Sequence, residues 1–134
     1  MEINKTKIAI IGGGSWATAI VKILSNNIDE IRWWMRNEDA VQHINKYKHN
    51  PNYLSSVQID LNRVKVTTDL LETITNSDVV IIATPSAFLV KTFEDFPVEL
   101  LKNKIVFSAV KGIIPEYHSI PARFFHKTFG TPYD

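Results

Sequence analysis

Cysteine is absent from the 134-residue sequence. That excludes a disulfide framework, a thiol nucleophile and any metal site built on thiolates. It fits a reducing compartment, and a cytoplasmic protein is the expectation. Charge of either sign is nearly balanced, with 15 Lys and Arg against 14 Asp and Glu and a formal net charge of +1. The basic residues are scattered, so there is no nucleic-acid footprint and no bulk field toward a membrane. No apolar stretch approaches the roughly 18 residues of a membrane span. The start Met1-Glu2-Ile3-Asn4-Lys5 is polar and carries no apolar export core. No stable membrane insertion is expected. Histidine is sparse too. His43, His49, His118 and His126 have no metal-ligand spacing and read as surface or helix-flank residues.

Glycine is scarce, five in all, yet three of the five are consecutive. They stand in "IAIIGGGSWATAI", Ile8 to Ile20, where an apolar run enters Gly12-Gly13-Gly14 and a helix-periodic segment follows. The 45% hydrophobic content suits one ordinary globular domain spanning 1–134.

The rest of the chain alternates two kinds of segment. Short apolar or branched runs predict strands at 7–11, 30–35, 64–67, 79–83 and 104–110. Between them, helices are predicted at 15–27, from an Asn37 cap through 48, at 69–75, 87–93 and 117–129. The stretch "HNPNYLSS" reads as a turn-rich loop. Continuously apolar strands are buried on both faces, and their alternation with helices predicts a parallel sheet. The fold class is therefore α/β, a Rossmann-type doubly wound, mainly parallel sheet with helices on both faces. Ligands in such sheets sit outside the carboxyl ends of the strands. Those ends are the segments from Gly12 to Trp16, at Arg36, from Thr84 to Ser86, and at Lys111-Gly112.

Gly12-x-Gly14-x-x-Ala17 matches the dinucleotide fingerprint G-x-G-x-x-G/A in its proper strand-to-helix setting. Gly12 permits the tight turn, Gly14 admits a diphosphate close to backbone, and Ala17 lets the helix pack near the strand. The N-terminus of that helix offers unpaired N–H groups and a positive dipole end. The bland alternative is a glycine turn that holds nothing. Arg36 ends the second strand, 24 residues past Gly12, where an acid would bind the ribose 2′-hydroxyl and an Arg accommodates a 2′-phosphate. This favours NADP over strict NAD, although an Arg also stacks on adenine, and the bland alternative is a solvated surface Arg. Trp16 either covers the diphosphate or packs under the helix start. Thr84-Pro85-Ser86 either lines the nicotinamide ribose or simply ends a strand. Lys111 is either aimed at a substrate oxyanion or snorkelling to water.

The segments "IIGGGSWATAI", "WWMRNEDAVQHIN", "NPNYL", "TTDL", "IIATPS" and "VKGI" occur in an order and spacing that resembles the cofactor domain of the bacterial-type NAD(P)-dependent glycerol-3-phosphate dehydrogenases. The resemblance covers nearly all of the chain and is most specific at Gly14-Ser15-Trp16 and at Lys111 to Glu116. It implies reversible hydride transfer between NAD(P)H and dihydroxyacetone phosphate, giving sn-glycerol 3-phosphate for glycerophospholipid synthesis. It implies that Ser15, Trp16 and Arg36 bind the dinucleotide, that Lys111 touches cofactor and substrate, and that Tyr53 lies on the cofactor side; Pro85 is a cofactor-side candidate from its place at the end of the fourth strand. Ala17 stands where the family often has Gly, and Ser55 where it usually has Pro. The family's second, helical domain, which supplies the general-base lysine, is not among these residues. The expectation is a chain that binds dinucleotide and turns over little substrate by itself, within a full-length protein that forms a homodimer. Rivals remain at this stage, among them a ligand-free α/β structural domain in which Gly12, Gly14 and Arg36 coincide by chance. Another is the cofactor domain of another dehydrogenase, acting on a hydroxy acid, a sugar nucleotide or an imine. A third is a non-catalytic dinucleotide-sensing module.

Overall fold

The computed structural model describes residues 6–52, 56–84, 91–94, 96–97, 101 and 104–108. Strand β1, Lys7–Ile11, leads into helix α1, Ser15–Leu24. Then come β2 (Glu30–Trp34), α2 (Glu38–Tyr47), β3 (Val64–Thr67), α3 (Leu70–Thr75), β4 (Val79–Ile82) and β5 (Ile105–Ser108). The five strands form one sheet in the order β3-β2-β1-β4-β5. Each neighbouring pair runs parallel, as the apolar runs predict. The order reverses at β1, which has β2 on one side and β4 on the other, so a ligand crevice is expected outside the carboxyl end of β1.

Alternate side chains of β1 feed two cores. Ile8 and Ile10 join Ile31, Trp33 and Val66 beneath Ala17 and Val21 of α1 and Ala40, Val41 and Ile44 of α2. Ala9 and Ile11 point the other way, to Trp34, Val80, Ile82 and Ile74 of α3. The sheet is therefore covered on both faces. Two neighbouring tryptophans serve opposite faces because strand side chains alternate.

Helix boundaries follow local chemistry. The Asn37 side chain accepts the Ala40 N–H at 3.2 Å and caps α2 as expected. Asp69 does the same for Glu72 at 3.0 Å, so α3 begins at Leu70 with Asp69 outside it. Helix α1 ends at Leu24, three residues before the predicted stop at Asn27. Ser25 turns its hydroxyl onto the Lys22 carbonyl, and the following residues bond back into the helix end as a turn. β2 and β4 stop one residue short of the predicted Met35 and Ala83, and β5 starts at Ile105 where 104 was expected. Lys91 and Thr92 are helical, while 87–90, 109–110 and the expected helix 117–129 lie outside the described residues. Among the described residues no helix is long and apolar enough to cross a membrane.

Of the histidines, His43 lies on α2 and His49 just past its end, both partly exposed, as the helix-flank reading expects. Lys48, at φ 65°, ends α2 in the left-handed conformation and folds the chain back. The His49 ring then meets the His43 ring at 4.7 Å, with Tyr47 also 4.7 Å from His43. These two histidines share a partly buried aromatic cluster, although their spacing in sequence gives no hint of it. His118 and His126 lie outside the described residues.

Candidate functional site

Gly12 leaves β1 at φ +136°, a conformation that side chains rarely adopt. A Cβ there would lie 2.8 Å from backbone atoms of Ala83, so the turn needs glycine for both conformation and room. Gly14 is different: a Cβ on it would meet nothing within 4 Å. Backbone there is open to an approaching group, as the fingerprint requires.

Three side chains from three elements grip this loop. The Trp33 indole N–H donates to the Gly12 carbonyl at 2.6 Å in a buried setting. The Asn50 amide, 1% exposed, donates to the Gly13 carbonyl at 3.0 Å and to Thr18 Oγ1 at 3.1 Å. The Thr18 hydroxyl donates in turn to the Gly14 carbonyl at 2.8 Å. On the β4 side, Thr84 Oγ1 donates to the Ile11 carbonyl at 3.1 Å.

Helix α1 starts from Gly14 with no side-chain cap and no acid in its first turn. α2 and α3 each have both. The leading N–H groups of α1 thus have the field and the vacancy that suit an anion. Beside them opens a cavity of about 280 Å³. Gly12, Gly13 and Gly14 line one side, Trp34, Met35, Arg36, Asn37 and Ala40 another, and Asn50, Asn52, Thr84 and Thr92 complete it. Arg36 is the charged residue among these lining residues. The nearest acids do not line it, and Glu38 is engaged by the Thr68 hydroxyl at 2.9 Å.

The structure brings Gly12, Gly14 and Arg36 to one cavity, with Ser15 exposed at the adjoining helix start. Trp16 is 60% exposed, which rules out packing beneath the helix. Tyr53, Pro85 and Lys111 lie outside the described residues. Sequence reasoning missed Asn50, Trp33 and Thr18. Asn50 sits in what reads as a plain turn, Trp33 reads as a strand former, and Thr18 as one position of a helix.

The sequence model of the NAD-dependent glycerol-3-phosphate dehydrogenase N-terminus matches residues 7–132. The chain belongs to this family. It is 38% identical over 106 residues to the glycerol-3-phosphate dehydrogenase (NAD(P)+) of Pseudomonas fluorescens, covering 79% of this chain and 30% of that protein. The glycerol-3-phosphate dehydrogenase of Plasmodium falciparum superposes with a TM-score of 0.82 at 27% identity, over 96% of this chain and 39% of that one. The Coxiella burnetii enzyme shares the fold, with a TM-score of 0.83 at 22% identity over 95% of this chain and 38% of that one. The chain thus spans about a third of the length of the curated relatives it matches. Family membership accounts for the order of the motifs along the chain and agrees with the Rossmann-type sheet.

Proposed function

We propose that this chain is the dinucleotide-binding domain of a glycerol-3-phosphate dehydrogenase and that NADP is its preferred cofactor. The observation that carries the reading is the open Gly14 backbone at an uncapped α1, beside a cavity whose charged lining residue is Arg36. The diphosphate lies against the α1 N-terminus, where N–H groups and dipole oppose its charge. Arg36 pairs with the 2′-phosphate in a charge-assisted contact. Ser15 and Trp16 flank the diphosphate, and the exposed Trp16 ring is available to cover it. Tyr53 and Pro85 belong to the cofactor side in this reading.

The bound nicotinamide supplies the hydride chemistry. The chain's own part is orientation: the carboxyl edge of the sheet holds the ring beside dihydroxyacetone phosphate, so that reduction gives sn-glycerol 3-phosphate. Lys111 is assigned to hold the substrate oxygen as negative charge develops on it. The general acid in that direction, and base in the other, is a lysine contributed from beyond this cofactor domain. By itself the 134-residue chain binds dinucleotide with little turnover. A cytoplasmic, homodimeric full-length enzyme completes the reading. The near-neutral charge and cysteine-free composition support the compartment.

The test is titration of this chain with NADPH and NADH, followed by tryptophan fluorescence and repeated with Trp16→Phe. Tighter binding of NADPH, with the preference lost in Arg36→Ala, is the expected result. Failure to bind either nucleotide overturns the reading. Assay of the full-length protein on dihydroxyacetone phosphate then tests the substrate.

A further inference from the structure

We propose that Asn50 is a positioning residue for the cofactor diphosphate, acting with Thr18 to aim the backbone N–H groups of the glycine loop. This rests on the dinucleotide reading given above. A trans peptide fixes its C=O and N–H in opposite directions, and no cis peptide occurs among the described residues. The Gly13 carbonyl is held by the Asn50 amide at 3.0 Å, so the Gly14 N–H in the same peptide unit is directed away from Asn50. The Gly14 carbonyl is held by the Thr18 hydroxyl at 2.8 Å, which likewise directs the Ser15 N–H. Asn50 donates to that hydroxyl as well, at 3.1 Å, so one side chain governs two consecutive peptide units.

The Gly14–Ser15 unit is also held by the Thr18 backbone N–H, which donates to the Gly14 carbonyl at 3.0 Å, whereas the Gly13–Gly14 unit, flanked by two glycines, relies on Asn50. A rotated unit would present a carbonyl oxygen to the diphosphate in place of an N–H, turning an attraction into a repulsion. Asn50 is itself fixed. Its Oδ1 accepts the Asn52 N–H at 2.9 Å, and the chain just before it is fastened by the bond from the Ile59 N–H to the Lys48 carbonyl at 2.7 Å. Asn50 is 1% exposed, so its amide is shielded from bulk water.

The test compares wild type with Asn50→Asp, which keeps the shape and the acceptor, removes both donors and adds a negative charge, and with Thr18→Val, which adds no charge. Two probes are titrated into each protein: NADPH, and adenosine 2′-monophosphate, which carries no diphosphate. Thermal unfolding of each variant is recorded alongside. In Asn50→Asp, NADPH affinity is expected to fall by about tenfold or more, while the monophosphate changes by less than about twofold. Unchanged NADPH affinity, or an equal loss for both probes, overturns the proposal. Thr18→Val supplies the same comparison, and supplies it alone if Asn50→Asp does not fold. It keeps the backbone N–H bond of residue 18 to Gly14 and removes only the hydroxyl. A selective loss for NADPH of about threefold or more is expected there, and equal behaviour of both probes overturns the proposal. Wild type that binds neither probe overturns the dinucleotide reading itself. Wild type that binds, with a folded variant matching it, overturns the role of Asn50 alone.

Discussion

The Thr68 hydroxyl donates to the Glu38 carboxylate at 2.9 Å and ties the first turn of α2 to the end of β3. Glu38 is therefore engaged in a structural contact and does not line the cavity, so the proposed reading assigns ribose selection to position 36. Arg36→Asp is expected to lower NADPH affinity by about 10- to 100-fold, since a favourable charge contact becomes a repulsive one. NADH affinity is expected to hold or rise, because an acid at this place accepts the ribose 2′-hydroxyl. The ratio of the two dissociation constants, measured by fluorescence titration, checks this. A ratio unmoved by the substitution would remove Arg36 from cofactor selection.

The glycines of the loop separate structure from binding. Gly12→Ala places a Cβ 2.8 Å from Ala83 backbone at a φ that disfavours any side chain. Backbone does not yield cheaply, so a stability loss of about 2–5 kcal/mol is expected in urea unfolding. Gly14→Ala has open space and an ordinary φ of −84°. Its stability is expected to stay within about 1 kcal/mol of wild type, the usual range for exchanging residues at a helix N-cap. Its dinucleotide affinity is expected to fall by about tenfold or more, because the methyl occupies the approach to the backbone. Equal binding by Gly14→Ala would mean that the turn cradles nothing.

Trp33→Phe tests the buried end of the loop. The substitution keeps an aromatic ring in the core but leaves the Gly12 carbonyl without its indole donor. An unsatisfied buried acceptor and a small cavity together are expected to cost about 2–4 kcal/mol. Trp34→Phe removes a similar bond, to the Thr68 carbonyl at 2.9 Å, in a partly buried place that water can reach. Its cost is expected to be the smaller of the two. The midpoints of denaturant unfolding, with unchanged slopes, decide it.

Strands β1 and β4 were legible in the sequence because burial on both faces leaves few polar positions to blur them. "KIAII" and "VVII" are almost wholly apolar, and both strands lie in the middle of the sheet. Asn37 was legible as a cap because its partner is three residues away. The phosphate-loop fingerprint was legible because each glycine answers a local need. Asn50 was not, because its partners Gly13 and Thr18 are 37 and 32 residues away and no local pattern encodes them. The contact of His49 with His43 was hidden for a related reason: the left-handed Lys48 reverses the chain, and a lysine gives no signal of that conformation. The early end of α1 turned on Ser25 bonding back to Lys22, while the two asparagines after it read as the natural stop.

Gly12, Gly13 and Gly14 each surrender a carbonyl to a different side chain, from β2, from the segment after α2 and from α1. The motif is thus necessary for the cradle and insufficient to make one. A peptide carrying only β1, the three glycines and α1 would possess the whole fingerprint yet lack the donors at positions 33 and 50. The native shape of the loop therefore requires β2 in place and the chain beyond α2 returned to it. A bound dinucleotide would then act as a latch on everything between Gly12 and Asn50, and would raise the stability of that half of the sheet as a unit.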